Sequence, residues 1–326
     1  MSDLNGRLSR CLGLALLAAV TFAVAADTPA ALQAGHPWED LPYPPGQRPQ
    51  PDDIVHVPTG LPLSFDGMMD MVAGARLVYV GESHDNLRAH DVQLQVIRDL
   101  ERRFPGRVAI GMEMFRQPQQ PVLDRWVAGE LGEAEFLEAV DWAETWRIDF
   151  GYYRAILELA RERRIHVIAL NPSRELQQQV RRLGLDGLPE DLRRELPAMG
   201  EPDPWQRDVI KAIYGGHLPT EGAFDAFFRV QLLWEESMAE RIVGYLASDR
   251  GAGKIMVVLT GSGHVEFGFG VPKKVVRRIP LPYVIILPTE IETPADKQMP
   301  GVVMPAVPML PADFLWWVPY VELPGS

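Results

Sequence analysis

Residues 76–84 read RLVYVGESH, and residues 255–264 read IMVVLTGSGH. Each stretch is a continuous apolar run that leads into Gly-x-x-His, and such a run is typical of a strand buried on both faces of a parallel sheet. In open α/β sheets, ligands bind beyond the carboxyl ends of the strands. His84 and His264 are therefore predicted to share one pocket although they lie far apart in the sequence.

Strand and helix patterns alternate along the chain. Further strand patterns lie at 108–112, 165–170 and 283–287. Helical patterns lie at 87–103, 118–128, 133–141, 152–164, 223–248 and in a segment that follows the third strand and ends at 183. Glycine and proline break the alternation at about 184–222. The pattern predicts an α/β fold: a parallel-rich central sheet with helices on both faces and a helical or irregular insertion.

Proline content divides the rest of the chain into an arm at 26–63, a main domain at 64–290 and a tail at 291–326. The arm has no sustained periodicity and is predicted to be a linker or to wrap the surface. The tail contains FLWWVPY at 314–320, and so many aromatic residues favour packing against the domain over contact with a partner.

The first 25 residues have the pattern of a secretory signal peptide. Arg7 and Arg10 precede an apolar run that begins at Cys11 and ends in Ala-Val-Ala, and cleavage is expected after Ala25 or Ala26. The run is short for a transmembrane helix, so an uncleaved anchor is the weaker alternative. The small residue that a lipoprotein signal needs before its cysteine is absent. We therefore predict a periplasmic or secreted protein, without a lipid anchor and without stable membrane insertion after cleavage.

Charge and cysteine content exclude several classes of function. The formal net charge is -12, which argues against nucleic acid or an anionic membrane as the main partner. The single cysteine falls in the predicted signal peptide. After cleavage the chain would have no disulfide, no reactive thiolate and no cysteine-ligated metal.

Polar residues follow four of the predicted strands. They are Glu82, His84, Glu113, Asn171, Arg174 and His264. Because the carboxyl ends of parallel strands lie side by side, these side chains are expected to converge, with Asn171 and Arg174 in supporting positions.

Three interpretations of this convergence remain open. His84, His264 and Glu113 suit a zinc, manganese or iron site with a position for water, and Glu82 would then be a base. Without a metal, Glu82 and Glu113 could form a general acid and base pair. In the third interpretation the histidines only hold loops together. No Gly-x-Ser-x-Gly elbow or phosphate-binding glycine loop supports a serine hydrolase or a nucleotide enzyme.

Five short stretches occur in a characteristic order. They are VYVGESHD at 78–85, GMEMF at 111–115, IALN at 168–171, QLLWEESMA at 231–239 and GSGH at 261–264. Together they resemble the ChaN-like haem-binding family, which is related to the superfamily of erythromycin esterase, TIKI and TraB proteins. The shared marks of that superfamily map onto His84, His264 and Glu113. Relatives tend to have aspartate where this chain has Glu235.

The resemblance implies an exported haem-binding protein with a role in haem and iron uptake, and a homodimer that holds haem at its interface. The alternative function is a metal-dependent hydrolase, an esterase or peptidase, that uses the two histidines and Glu113. Whether the protein is an enzyme is left open. Haem and a divalent metal (zinc, manganese or iron) are the expected cofactors.

The resemblance does not supply the haem ligands, so these come from residue chemistry. With cysteine excluded, tyrosine and histidine are the candidates. Tyr214 and His217 lie in the glycine-rich YGGH of the insertion and are preferred, followed by Tyr153. The alternative is that Tyr153 faces the core and His217 is only a loop residue.

Overall fold

The computed structural model describes residues 49–295, 297 and 302–324. The predicted signal peptide at 1–25 and the first part of the arm lie outside the described residues. Within them the chain forms a mostly parallel sheet of eight strands with helices on both faces, so the α/β prediction is confirmed. Among the described helices, none is both long and apolar enough to cross a membrane.

The eight strands occur in the spatial order β2-β1-β8-β7-β3-β6-β4-β5. They are β1 (Ile54–His56), β2 (Leu61–Leu63), β3 (Leu77–Glu82), β4 (Val108–Arg116), β5 (His166–Asn171), β6 (Ile255–Gly261), β7 (Tyr283–Glu290) and β8 (Phe314–Val318). The six strands from β8 to β5 run parallel, whereas β1 pairs antiparallel with both β2 and β8. The centre of the sheet is therefore parallel, as the apolar runs predict.

Eleven α-helices are described. They are α1 (Phe65–Val72), α2 (Leu87–Arg103), α3 (Gln120–Val127), α4 (Glu133–Ala139), α5 (Trp142–Thr145), α6 (Gly151–Arg163), α7 (Arg174–Leu183), α8 (Glu190–Arg193), α9 (Pro204–Tyr214), α10 (Glu221–Ala247) and α11 (Val271–Arg278). The bounds of α2 match the sequence prediction because Asn86 caps its first turn and basic residues end it.

All five predicted strands are present, as β3 to β7. The sheet also extends into the arm and the tail, through β1, β2 and β8. Phe314, Trp316 and Trp317 are buried in β8, between β1 and β7. The tail thus packs against the sheet. The division of the chain at 64 and 290 remains a prediction.

The segment at 184–222 contains α8, α9 and a 3-10 turn at Gly215–His217. Polar contacts tie this segment to α10 and α11. The backbone N–H of Gly200 donates to Glu236, and Lys273 pairs with Asp203 at the start of α9. The insertion is therefore helical in part and docked on the domain.

The alternation of side chains along the strands separates two cores. Val78 and Val80 face the core beneath α2 and α6, whereas Leu77 and Tyr79 face the core beneath α10 and α11. Polar residues at the ends of β3 and β4 can therefore approach the sheet edge from opposite faces.

Candidate functional site

The two Gly-x-x-His motifs meet at the carboxyl edge of the sheet. A side chain at position 261 would place its Cβ 3.3 Å from Cε1 and Nε2 of His84 and 3.8 Å from Glu113 Oε2. The backbone N–H of Gly261 donates to Glu113 Oε2 over 2.8 Å, and Glu113 Oε1 lies 3.4 Å from His264 Nε2. The structure thus brings together His84, His264 and Glu113, and glycine at 261 makes room for them.

Glu82 organises the half of this site that faces α2 and α6. Glu82 Oε1 accepts hydrogen bonds from His84 Nδ1 at 2.6 Å and from Tyr153 Oη at 3.0 Å. Its other oxygen accepts from Gln93 Nε2 at 2.8 Å and lies 3.2 Å from His90 Nδ1. Glu82 therefore has partners on two helices and is buried.

Charge pairing in this half decides the protonation of Glu82 and His84. Burial opposes ionisation of Glu82, but the charge of His90 and the hydrogen bond from His84 lower its pKa below the usual range. Burial also opposes the charge on His84, and Glu82 raises the pKa of that imidazole. The pair is therefore stabilised as a carboxylate and an imidazolium.

The half that faces α10 and α11 is built around Glu235. Glu235 Oε1 lies 3.3 Å from His264 Nδ1, and Glu235 Oε2 accepts from Lys274 Nζ at 2.7 Å. Both of its oxygens also accept from Gln206 Nε2 of α9 at 2.8 Å. Glu235 therefore connects the sheet edge to the docked insertion.

His264 is held between two carboxylates. Burial would lower the pKa of His264, but the charges and hydrogen bonds of Glu113 and Glu235 raise it to about 10. Burial would raise the pKa values of both carboxylates. His264 nevertheless lowers the pKa of Glu113 to about 2, and Lys274 together with His264 lowers the pKa of Glu235 to about 2. At neutral pH, His264 is a cation between two anions.

This arrangement does not support the expected divalent metal. In the described part of the chain, no group of three or more His, Cys, Asp or Glu side chains is placed to hold a metal ion. His264 is paired with Glu113 and Glu235 and carries a proton, which its imidazole would have to lose before it could bind a metal. The metal-dependent hydrolase is accordingly not favoured.

The two predicted supporting residues have different surroundings. Asn171 is buried, and its Nδ2 donates to the backbone carbonyl of Glu113 over 2.6 Å. Arg174 is exposed at the first position of α7, and its positive charge contributes to the lowered pKa of Arg116. Asn171 therefore belongs to the surroundings of Glu113, whereas Arg174 lies outside them.

A small cavity adjoins His264. It has a volume of about 30 Å³, and its lining includes Gln206, Tyr214, Gln231 and Glu266. This volume suits about two water molecules, whereas pockets for larger organic ligands measure roughly 300–1,000 Å³. Burial raises the pKa of Glu266 to about 8. A haem does not fit inside this cavity.

The three candidate haem ligands lie in different environments. Tyr153 is fully buried, and its Oη also accepts from Trp146 Nε1. Tyr214 ends α9, is partly exposed, and has its ring centroid 5.0 Å from that of Phe227. His217 is exposed in the 3-10 turn that follows. Tyr214 is thus partly exposed and His217 exposed, whereas Tyr153 can be reached only by opening the core.

The paired motifs, the glutamate near the end of β4 and the sheet order can now be compared with known families. A model of the family described as "Haem-binding uptake, Tiki superfamily, ChaN" matches residues 68–275. The chain belongs to this ChaN family. Haem is the ligand that the family description gives, and the match covers every strand from β3 to β6.

A solved structure of a ChaN protein agrees with this fold. ChaN of Campylobacter jejuni, which binds haem cofacially, has a TM-score of 0.61 and 16% sequence identity over 81% of this chain and 95% of that one. A variant of the erythromycin esterase EreC has a TM-score of 0.42 and 16% identity, over 70% of this chain and 74% of that one. No curated protein matches this sequence.

Several residues around the site were not identified from the sequence. Lys274 lies in α11, which the sequence analysis does not predict, and His90 and Gln93 lie on the buried face of α2. All three could have been found because they share a helix face with apolar residues at helical spacing. A polar side chain on such a buried face needs a polar partner.

Proposed function

We propose that this chain binds haem and serves haem uptake outside the cytoplasm. The family match over residues 68–275 carries the proposal. The Campylobacter protein of the same fold binds haem, which is consistent with it. When bound, haem would supply the iron, and residues of this chain would hold the porphyrin and provide a ligand to the iron.

We place the haem on the outer side of Tyr214, at the end of α9, and not inside the small cavity beside His264, which Tyr214 also lines. The cavity at the strand edge holds about 30 Å³, and its histidines are paired with carboxylates. Tyr214 is partly exposed and packs on Phe227, so a porphyrin could reach its hydroxyl along an apolar surface. His217 lies three residues further on and is the second candidate ligand.

Tyr153 is the least accessible of the three candidates. Its hydroxyl donates to Glu82 and accepts from Trp146, and its ring packs against His90 with a centroid distance of 4.6 Å. Iron coordination would break both hydrogen bonds and uncover the core. We therefore carry forward Tyr214 and His217.

Coordination by Tyr214 would couple haem binding to proton release. Burial raises the pKa of Tyr214, and the charge of Glu113 raises it further. A ferric iron binds the phenolate, so the phenol has to lose its proton. Affinity for ferric haem is therefore expected to increase with pH in wild type and to lose this dependence in Tyr214→Phe.

The central experiment is a titration with haemin followed in the Soret region. Wild type is expected to give a saturable spectral change. Tyr214→Phe should bind at least about tenfold more weakly, because even a residue that only supports a metal ligand contributes roughly 10–100-fold to affinity. His217→Ala distinguishes the two candidate ligands. Tyr283→Phe is the matched control, because Tyr283 is also partly exposed but begins β7 at the opposite end of the sheet. Absence of any saturable change in wild type would rule out haem binding.

Export and dimer formation complete the proposal. We expect the mature chain in the exported fraction to begin after Ala25 or Ala26. N-terminal sequencing of that fraction tests the cleavage. Sedimentation velocity with and without haemin tests the homodimer, which should form at least in the presence of the ligand.

A further inference from the structure

If haem binds at Tyr214, its two propionates also require a site. The formal net charge of the chain is -12, so the protein as a whole repels a porphyrin that carries two carboxylates. Binding then depends on cations close to the iron ligand, because charge-assisted hydrogen bonds to carboxylates are short-range and directional.

Two cations share a helix face with Tyr214. Arg207, Lys211 and Tyr214 occupy positions i, i+4 and i+7 of α9, and this spacing places them on one side of the helix. At a rise of about 1.5 Å per residue, they span roughly 10 Å along the axis. We call these three residues the α9 strip. Its length is comparable with the distance across a porphyrin from iron to propionate.

The strip lies along the first turns of α10, where aromatic rings form its floor. Arg207 Cζ is 4.8 Å from the ring centroid of Phe224 and 5.5 Å from that of Phe228. Lys211 Nζ is 5.8 Å from the Phe224 centroid. Phe224 and Phe228 are buried beneath these cations, whereas Tyr214 and Phe227 beside them are partly exposed. A porphyrin edge at this place would meet two cations next to a partly exposed aromatic pair.

Internal carboxylates pair with both cations. Glu221 Oε1 lies 2.9 Å from Lys211 Nζ and 3.1 Å from an Arg207 nitrogen, and Asp225 lies 2.9 Å from Arg207. The Glu221 side chain is 57% exposed and that of Asp225 is 47% exposed. Ion pairs with this exposure contribute little to stability and exchange readily. Glu221 therefore occupies the position that an incoming carboxylate would take.

We propose that Arg207 and Lys211 form the subsite for the haem propionates, and that the propionates replace Glu221 on these cations. This inference rests on the proposed haem site at Tyr214. No covalent step is involved. The subsite distinguishes a porphyrin with free carboxylates from one whose carboxylates are masked.

The test compares haemin with haemin dimethyl ester, in which both propionates are neutral, under the same solvent conditions. Wild type should bind haemin about tenfold more tightly than the ester. Lys211→Gln should weaken haemin binding about fivefold, as expected for one partly exposed charged contact, and leave binding of the ester unchanged. Glu221→Gln should tighten haemin binding about threefold, because the competing carboxylate is removed.

The control Arg194→Gln changes net charge by the same amount as Lys211→Gln. Arg194 is the C-cap of α8, and its side chain is 74% exposed. It should not alter the affinity for either ligand. Equal wild-type affinities for haemin and the ester, or an equal loss of both in Lys211→Gln, would overturn the subsite while leaving haem binding intact. A wild-type protein that binds neither ligand would instead overturn the proposed function and the subsite together.

Discussion

The strand edge and the α9 strip both contain ionisable groups, but the two regions differ in burial and in partners. The strand-edge cluster consists of Glu82, His84, Glu113, Glu235 and His264, all buried and all paired with an opposite charge. The cations of the α9 strip are partly exposed, and their carboxylate partners are close to half exposed or more.

Because of this difference, we expect charged groups to serve stability at the strand edge and ligand binding at the α9 strip. Removing one member of a buried pair leaves an uncompensated charge, so the strand-edge cluster is expected to determine stability. Exposed pairs exchange at little cost, so the α9 strip can accept a ligand. We therefore expect the paired Gly-x-x-His motif to support the fold, and we place the proposed ligand site in the less regular insertion.

The largest expected effect is the loss of Glu235. Glu235→Gln leaves the buried Lys274 without its carboxylate and His264 with Glu113 alone, and should lower the free energy of unfolding by about 3 kcal/mol, the lower part of the range for broken buried pairs. Chemical denaturation measures the change. Glu190→Gln removes a carboxylate that is 70% exposed on α8 and should change stability by less than about 0.5 kcal/mol. Similar values for the two variants would contradict the comparison.

A smaller loss of stability is expected from Gly261→Ala, which adds one methyl group where the two Gly-x-x-His motifs lie side by side. The Cβ of Gly261→Ala would lie 3.3 Å from the His84 ring, so that ring has to move, at a cost of about 1–3 kcal/mol. Gly263→Ala is the matched control from the same motif, because its Cβ meets no atom within 4 Å. Thermal unfolding should separate the two variants. If Gly263→Ala were as unstable as Gly261→Ala, the glycine at position 261 would be needed for backbone freedom and not for space beside His84.

The pH dependence of stability tests the charge state of the strand-edge cluster. The pKa of His264 is raised to about 10, so its stabilisation is complete below the ordinary value of about 6.5 and is lost as pH rises towards 10. The pKa values of Glu113 and Glu235 are lowered to about 2, so their contribution is present above about pH 4.5 and is lost towards pH 2. Stability should therefore be highest at about pH 5–6.5.

His264→Gln should remove most of the alkaline decline. Urea denaturation of the variant and of wild type at a series of pH values measures this decline in the free energy of unfolding. An alkaline decline of the same size in the variant would mean that His264 is not the cation held by the two carboxylates.

Much of this fold is predictable from the sequence, for a physical reason. The central strands are continuous apolar runs and α2 has clear caps, so local pattern and burial agree. The short strands β1, β2 and β8 and the helices α1 and α11 have no counterpart among the sequence predictions. Their short apolar patterns gain stability mainly from neighbours that are distant in sequence.

The candidate site is predictable in position but not in charge. The sequence places Glu113 and His264 at the ends of parallel strands and so predicts their contact, which the structure contains. Burial and the pairing of His264 with Glu235 depend on how α10 packs over the edge, which no local pattern encodes. For this reason the sequence left the metal site open, whereas the structure does not support it.

The most direct test of the central claim is one haemin titration that compares the two regions. Tyr214→Phe alters the proposed haem site, and His84→Gln alters the strand-edge cluster, with circular dichroism to confirm that both variants are folded. We predict that Tyr214→Phe weakens haemin binding at least about tenfold, whereas His84→Gln retains the wild-type Soret spectrum and affinity. Loss of haemin binding in a folded His84→Gln protein, with Tyr214→Phe unchanged, would place the haem at the strand edge and contradict the account.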